Sequence, residues 1–424
     1  MHYQIMKKSL LFIMSMAMLA TFGCSDDDNK APWEELPSGP ITGADAMITF
    51  NGERSYGSVQ LKADNSSKGV MNVVNVLPGY PEVTMDVDMA QQPDGSFNVT
   101  GATTLDTPPC MLPSSKSDEK LVIYNLSVEG NVTTQGKADM NFKAVLGDNV
   151  QNHVTGTWVL ADYLPLTPEG MANAPVQVSW VTKSGGVEMD ARLSAMASLL
   201  AGNIVYQMLK SVTFSPDGNV TALYSSGFDL VAFMEDGVDK QHGRYIHVNN
   251  EWKESPRNLA FWYSPGNYLC VTPYMPNIMA QIAIDNGEDP DLNNGALPEM
   301  EKQLLEKLAQ LGVDVSVLME NFEYWNKNGI PLQIVRSDYN SMSLVLDEKM
   351  IGSVVKAFIP ALDKLDEKLA EMIAADPNDP VVKLLMTEIM PELGINKLAD
   401  LGSLWINDTE SFTIALKLNR AQSY

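Results

Sequence analysis

The sequence predicts a mainly β protein with α inserts (α+β), built from two β-barrel or β-meander domains of which the second carries several helices. Three observations predict it. From Ile41 to Asn152, short apolar/polar alternating runs are separated by turn residues, with no helical stripe among them. At His153 the strand pattern restarts and runs on to the C-terminus. Within this second stretch, apolar residues recur at three- and four-residue spacing in several long runs. A chain of 424 residues, 45% of them apolar, has the material for large packed cores.

In the first stretch, strands are expected at Ala46–Phe50, Ser58–Lys62, Val70–Val76, Val83–Met89, Phe97–Thr104, Leu121–Val128 and Ala138–Leu146. Val83, Met85, Val87 and Met89 fall on one face, with Thr84, Asp86 and Asp88 on the other. Pro93-Asp94-Gly95 marks a turn between two of these runs. Seven strands at such spacing predict a barrel or sandwich spanning 41–152.

The second stretch, 153–424, opens with Thr155–Ala161. Further strands are expected at Gln177–Val181, Val212–Phe214, Val220–Tyr224, Tyr245–Val248, Leu259–Tyr263, Tyr268–Thr272, Pro331–Val335, Ser343–Leu346 and Phe412–Leu418. Pro216-Asp217-Gly218 repeats the earlier turn, hinting at two related meanders. Helices are expected at Asp190–Lys210, from Pro298 to a stop at Gly312, along a stripe from Ile351 to Met372, and at Val381–Met390. Pro360 lies within the third of these and is expected to kink or divide it. All these stripes are expected to face the core.

Residues 1–23 read as a signal peptide, with Lys7 and Lys8 before an apolar run from Leu10 to Leu19. Leu19 to Cys24 resembles a bacterial lipobox, in which the cysteine is lipidated and becomes the first residue of the mature chain. Ser25-Asp26-Asp27-Asp28 follows, resembling the acidic surface-export signal of Bacteroidetes lipoproteins. The resemblance implies an outer-membrane protein anchored through Cys24 and exposed at the cell surface. Residues 24–40, punctuated by Pro32, Pro37, Gly39 and Pro40, read as a flexible tether. A net charge of −24 repels phosphate backbones and excludes nucleic acid as a partner.

Gly156-Thr157-Trp158, at the first strand of the second meander, resembles the Gly-x-Trp opening of lipocalin and calycin-like barrels. In that family the Trp plugs one end of the barrel and a basic residue near the last strand packs over it. The resemblance implies that Trp158 meets Arg420, closing the barrel with a cation–π contact of about 0.5–2 kcal/mol. As a whole the chain resembles Bacteroidetes surface lipoproteins of a domain-of-unknown-function family with lipocalin/calycin-like β domains. Such proteins are expected to bind and not to catalyse.

Chemistry-bearing motifs are few. The sequence has no Gly-rich phosphate loop, HExxH, GxSxG or CxxC, and only three histidines beyond the signal peptide, so a nucleophile–base set is hard to assemble. Glu235, Asp236, Asp239, His242 and His247 offer nitrogen and oxygen donors, but at no standard zinc spacing, and the alternative is a solvated hairpin loop. Asp289, Asp291 and Asn293 in the 285–295 loop resemble a calcium loop whose glycine falls one position late and whose twelfth residue is Met300. Neither is assigned a metal, and no cofactor is expected. Cys110 and Cys270 read either as a disulfide joining the two halves or as two buried thiols.

The expected function is therefore non-enzymatic binding of a small apolar or amphipathic ligand in, or at the mouth of, the second domain. One alternative is a glycan-binding accessory protein of an outer-membrane uptake system, stacking sugars on Trp252, Trp262 and Tyr268. Another is a structural lipoprotein that engages an outer-membrane protein partner and takes no small ligand.

Overall fold

The structure, a computed structural model, describes residues 30–106, 122–150 and 152–421, apart from 226, 228–231, 234–235, 249–250, 286, 288–301 and 303–304. It is a mixed α/β molecule whose strands form two curled half-barrel sheets.

The first sheet holds β1 (Ala46–Phe50), β2 (Glu53–Ser55), β3 (Ser58–Ala63), β4 (Lys68–Leu77), β5 (Tyr80–Gln91), β6 (Phe97–Asp106), β7 (Val122–Val132) and β8 (Ala138–Leu146). Their spatial order is β2-β1-β8-β7-β6-β5-β4-β3, antiparallel throughout except for the parallel β1/β8 pair. The two edge strands, β2 and β3, are joined by only Tyr56 and Gly57, so the sheet has to curl until its edges approach. Alternation does the rest: in β5, Val83, Met85, Val87 and Met89 are buried while Thr84, Asp86 and Asp88 face solvent. Met71, Met140, Phe97 and Phe142 fill the same interior.

The second sheet holds β9 (Gly156–Leu160), β10 (Val176–Thr182), β11 (Leu209–Phe214), β12 (Val220–Tyr224), β15 (Lys253–Glu254), β16 (Ala260–Tyr263), β17 (Tyr268–Pro273), β18 (Ile330–Asp338), β19 (Ser341–Asp347) and β20 (Thr409–Arg420), while β13 (Val238–Asp239) and β14 (Arg244–Tyr245) make a separate hairpin. The order is β15-β12-β11-β9-β20-β19-β18-β17-β16, again with sequence neighbours at its two ends. A bridge from Asn219 to Phe261 brings the β12 side against β16. Neighbours in space are then neighbours in sequence around an antiparallel ring, with β20 returning to β9. β10 takes the first half of the β20 edge and β9 the second. Trp158, Trp262 and Phe214 fill the ring, the last two in an edge-to-face contact at 5.6 Å.

Eight α-helices are described: α1 (Pro168–Asn173), α2 (Gly186–Met208), α3 (Met275–Asp285), α4 (Val315–Asn328), α5 (Glu348–Ala375), α6 (Pro380–Lys383), α7 (Met390–Leu393) and α8 (Ala399–Asp408). Residues 305–310 are also helical and end at Gly312, whose φ of +86° needs glycine. Pro360 does not divide α5. The loop before α4 braces that turn, with Asp314 N–H donating to the Ala357 carbonyl at 2.8 Å. The run after Pro380 is helical but carries a π-helical turn at Leu384–Ile389 between α6 and α7. The strand expected at Tyr245–Val248 shrinks to Arg244–Tyr245. The buried side chain of Gln207, not a neighbouring strand, accepts from Val248 N–H and donates to the Ile246 carbonyl.

Both repeated turns form as expected. Asp94 and Asp217 each accept the N–H two residues on, and Gly95 and Gly218 both sit at φ +85°. Gly218 presses against the Tyr124 ring of the first sheet, leaving no room for a Cβ. The two sheets share one apolar core in which Phe50 meets Phe261 at 5.2 Å. Through this seam runs a polar pair. Asn219 donates to Asn258 Oδ1 at 2.6 Å, Asn258 N–H returns to Asn219 Oδ1 at 2.9 Å, and Asn258 Nδ2 reaches the Phe50 carbonyl. Both are fully buried, so these bonds satisfy polar groups that water cannot reach.

Candidate ligand pocket at the mouth of the second sheet

Along β20 the register with β19 is unbroken, so Phe412, Ile414, Leu416, Leu418 and Arg420 share one face. Leu418 lies in the core of the ring, and Leu416 touches both that core and a second apolar cluster around Trp180 and Trp405. Phe412 and Ile414 continue the same face beyond it, into a cavity of about 410 Å³. One strand face thus runs from the pocket, through the packed interior, to Arg420 at the far end.

The walls follow from the sequence. Ile351, Val354, Val355, Phe358, Ile359 and Leu362 repeat at helical spacing, so α5 presents them as a single stripe to the pocket. Asp347 caps α5 by accepting from Met350 N–H. Asp366, one turn further along α5, accepts from the N–H groups of Leu398 and Ala399 and so fixes the start of α8. Gly402 lets α8 approach α5, since a Cβ there would lie 2.6 Å from Ile359 Cγ2. Ala197 and Ala201 of α2 form the small-residue side. Ser198 and Ser194 accept the N–H groups of Val178 and Trp180, which seats α2 along β10.

Three aromatic rings line the base. Trp180 meets Trp405 at 5.7 Å and Phe412 at 5.9 Å, and Trp405 meets Phe412 at 4.9 Å, all edge to face. The Trp180 indole N–H is already bonded to Thr409 Oγ1. Every lining residue is apolar or glycine, and Phe358 at the rim is 44% exposed. Such a site can hold hydrocarbon but offers no charged group for chemistry. The α5 stripe, expected to face the core, therefore lines a pocket, and Trp180 and Trp405 were not singled out by sequence reasoning. The signal was present as one Trp on an alternating strand and another in the Leu401/Leu404/Trp405 stripe.

The structure brings Trp158 and Arg420 together. The guanidinium sits 4.6 Å over the indole and 5.1 Å from Tyr339, and its Nη groups donate to the His153 and Thr155 carbonyls at 2.7 and 3.1 Å. The Trp158 N–H donates to the Val154 carbonyl. Gly156 has a φ of +123°, and a Cβ on it would lie 3.0 Å from Arg420 Nη1. The glycine of the Gly-x-Trp sequence is thus demanded by both backbone and arginine.

Trp252, Trp262 and Tyr268 do not form a platform. Trp262 is fully buried inside the ring, donating to the Ser215 carbonyl, while Phe261 and Tyr263 on the other face are buried against the first sheet. Tyr268 lies on the opposite face of the β16/β17 hairpin from Trp262. Trp252 is half-buried between Lys210, at 5.6 Å, and the edge of His247. Sheet alternation separates residues that are close in sequence.

Of the possible metal donors, Asp239 and His242 bond to each other at 2.6 Å, which holds the Asp239 carboxyl below its usual range. His247 instead stacks on Tyr206 at 4.1 Å, where burial lowers its pKa to about 4. Among the described residues no three His, Cys, Asp or Glu gather as a metal site. Glu235 lies outside the described residues, as do Cys24, Ser25, Asp26, Asp27, Asp28, Cys110 and nearly all of the 285–295 loop. Cys270 is a buried free thiol bonded to Tyr263, its pKa raised by burial to about 12. Among the described residues no helix is long and apolar enough to cross a membrane. The chain matches no protein-family model, no curated protein and no solved structure.

Proposed function

We propose that this chain is a non-enzymatic, lipid-anchored surface protein that binds a small apolar or amphipathic ligand at the mouth of its second sheet. The observation that carries the reading is the 410 Å³ pocket with its wholly apolar lining and three-ring base. A pocket of this volume is in the range that takes drug-sized ligands. The next-neighbour strand ring, the Gly156-Thr157-Trp158 opening and the Arg420 contact support a lipocalin- or calycin-like reading of the second half. In this variant the ring is filled by Trp158, Trp262 and Phe214, and the ligand sits under α2, α5 and α8. Cys24 and the acidic run after it support anchorage at the outer membrane, on a tether shorter than the expected 24–40, since a 3-10 turn at Pro32–Glu35 forms and Trp33 and Leu36 pack against the core.

A thermal-shift panel of fatty acids, sterol-like molecules and oligosaccharides tests the proposal. An apolar ligand at a hundred times its dissociation constant should add about 2.7 kcal/mol of stability. Stabilisation by oligosaccharides alone would replace this reading with the glycan-binding one, and no stabilisation at all would favour a partner-binding lipoprotein.

A further inference from the structure

We propose that the Arg336/Arg420 end of the second sheet is a binding site for a small oxyanion, phosphate or sulfate, free or as the terminal group of a larger molecule. Arg336 on β18 stands opposite Met342, which stands opposite Leu418, while Arg420 stands opposite Trp158. The pairing puts both guanidiniums on the inward face, on strands that flank β19. Among the described residues neither forms an ion pair with a carboxylate, and no carboxylate is among the groups that act on Arg336.

The donors here are incompletely used. Arg420 gives its two Nη groups to carbonyls, yet its Nε is buried without a partner, and so is Nη2 of the half-buried Arg336. At the same end of the sheet, Thr155 Oγ1 is also buried and unpartnered, on the residue whose carbonyl accepts from Arg420. Ser341 Oγ is unpartnered too, but Ser341 pairs with Asn419 and so faces away from the two guanidiniums. Buried donors without acceptors are costly, and two unneutralised cations in one place more so. Burial, and after it the neighbouring Arg420 charge, push the Arg336 guanidinium below its usual range. An oxyanion would accept from both arginines and neutralise the pair, with charge-assisted bonds in the geometry that guanidinium favours. Because the chain carries a net charge of −24, long-range attraction opposes an anion, and recognition has to come from these local donors.

This site is independent of the apolar pocket. Ile414 and Arg420 are separated by about 20 Å along an extended strand. The test is a thermal-shift and calorimetric titration of the full chain with inorganic phosphate and with sulfate, against potassium chloride at matched ionic strength. Tm should rise by about 2 °C or more with saturating phosphate or sulfate. Arg336→Gln should weaken binding at least about tenfold without lowering the anion-free Tm, because it relieves the crowding of like charges, and Arg336→Lys, which keeps the charge but loses the planar fork, should weaken binding less. Guanidinium Nε–H resonances of the two arginines, followed by NMR during the same titration, read the site directly and do not depend on any variant folding. Co-sedimentation with phosphatidic acid vesicles, against phosphatidylcholine vesicles, distinguishes a lipid headgroup from the free ion. The proposal fails if neither the free anions nor the phosphatidic acid vesicles bind beyond their controls, or if binding persists undiminished in Arg336→Gln.

Discussion

Trp180 and Trp405 meet edge to face with ring centroids 5.7 Å apart, although 225 positions separate them in the chain. One ring comes from an edge strand and the other from a short helix, and between them they hold β10 and α8 around the pocket. Trp405 is 6% exposed. Trp405→Ala should destabilise the protein by about 3–5 kcal/mol, as large-to-small changes at buried aromatics do. Chemical denaturation read by circular dichroism checks it, and a cost below about 1 kcal/mol would mean that this cluster holds nothing in place.

The Gly156–Arg420 contact makes a second prediction. Gly156→Ala forces a Cβ into a positive-φ backbone and against the guanidinium, which should cost about 2 kcal/mol or more. Arg420→Leu removes both the ring contact and two charge-assisted bonds, for an expected loss of about 2–4 kcal/mol. The two effects should not add, since both act on one contact, and a double-mutant cycle measures the coupling.

At the seam between the sheets, Asn219→Ala should cost about 2–4 kcal/mol, because it leaves Asn258 buried with its amide oxygen and backbone N–H unbonded. Asn258 itself holds a φ of +62°, a conformation that asparagine tolerates better than most residues. Asn258→Leu should therefore be worse than Asn258→Gly, which keeps the backbone freedom while losing the bonds. Equal denaturation midpoints for these two variants would contradict the backbone part of this account.

His247 sets a pH dependence. Stacked on Tyr206, it has a folded-state pKa of about 4, against 6.5 for the free side chain. From about pH 6.5 downward the unfolded chain takes up a proton that the folded one refuses, so stability falls with pH until about 4. Comparing stability between pH 7 and 4 for the wild type and His247→Gln isolates this group from the carboxylates. The variant should lose part of the slope, and an identical slope in both would remove His247 as its source.

Much of the architecture was legible in the sequence because sheet alternation is local. Val83 to Met89 display their inward and outward faces in the sequence itself, and the two Pro-Asp-Gly turns announce their own geometry. The α5 stripe was legible as helix but not as pocket, because an apolar face looks the same whether it meets a core or a cavity. Trp262 shows the reverse limit. An aromatic in a strand can stack on a ligand or fill a ring, and only the pairing of β16 with β17 decides which. The oxyanion site was invisible for a similar reason, since Arg336 and Arg420 become neighbours only once β19 lies between them.

Whether the apolar pocket holds a ligand is decided by a binding titration with medium- and long-chain fatty acids. Intrinsic tryptophan fluorescence should report binding, because Trp180 and Trp405 line the site. The titration is repeated on Ala201→Phe, which adds a ring to the wall contributed by α2. One ligand per chain in the wild type, with affinity at least about tenfold weaker in the filled variant, is the predicted result. Saturable binding that is unchanged by the added ring, or no binding of any apolar or amphipathic ligand, would contradict it.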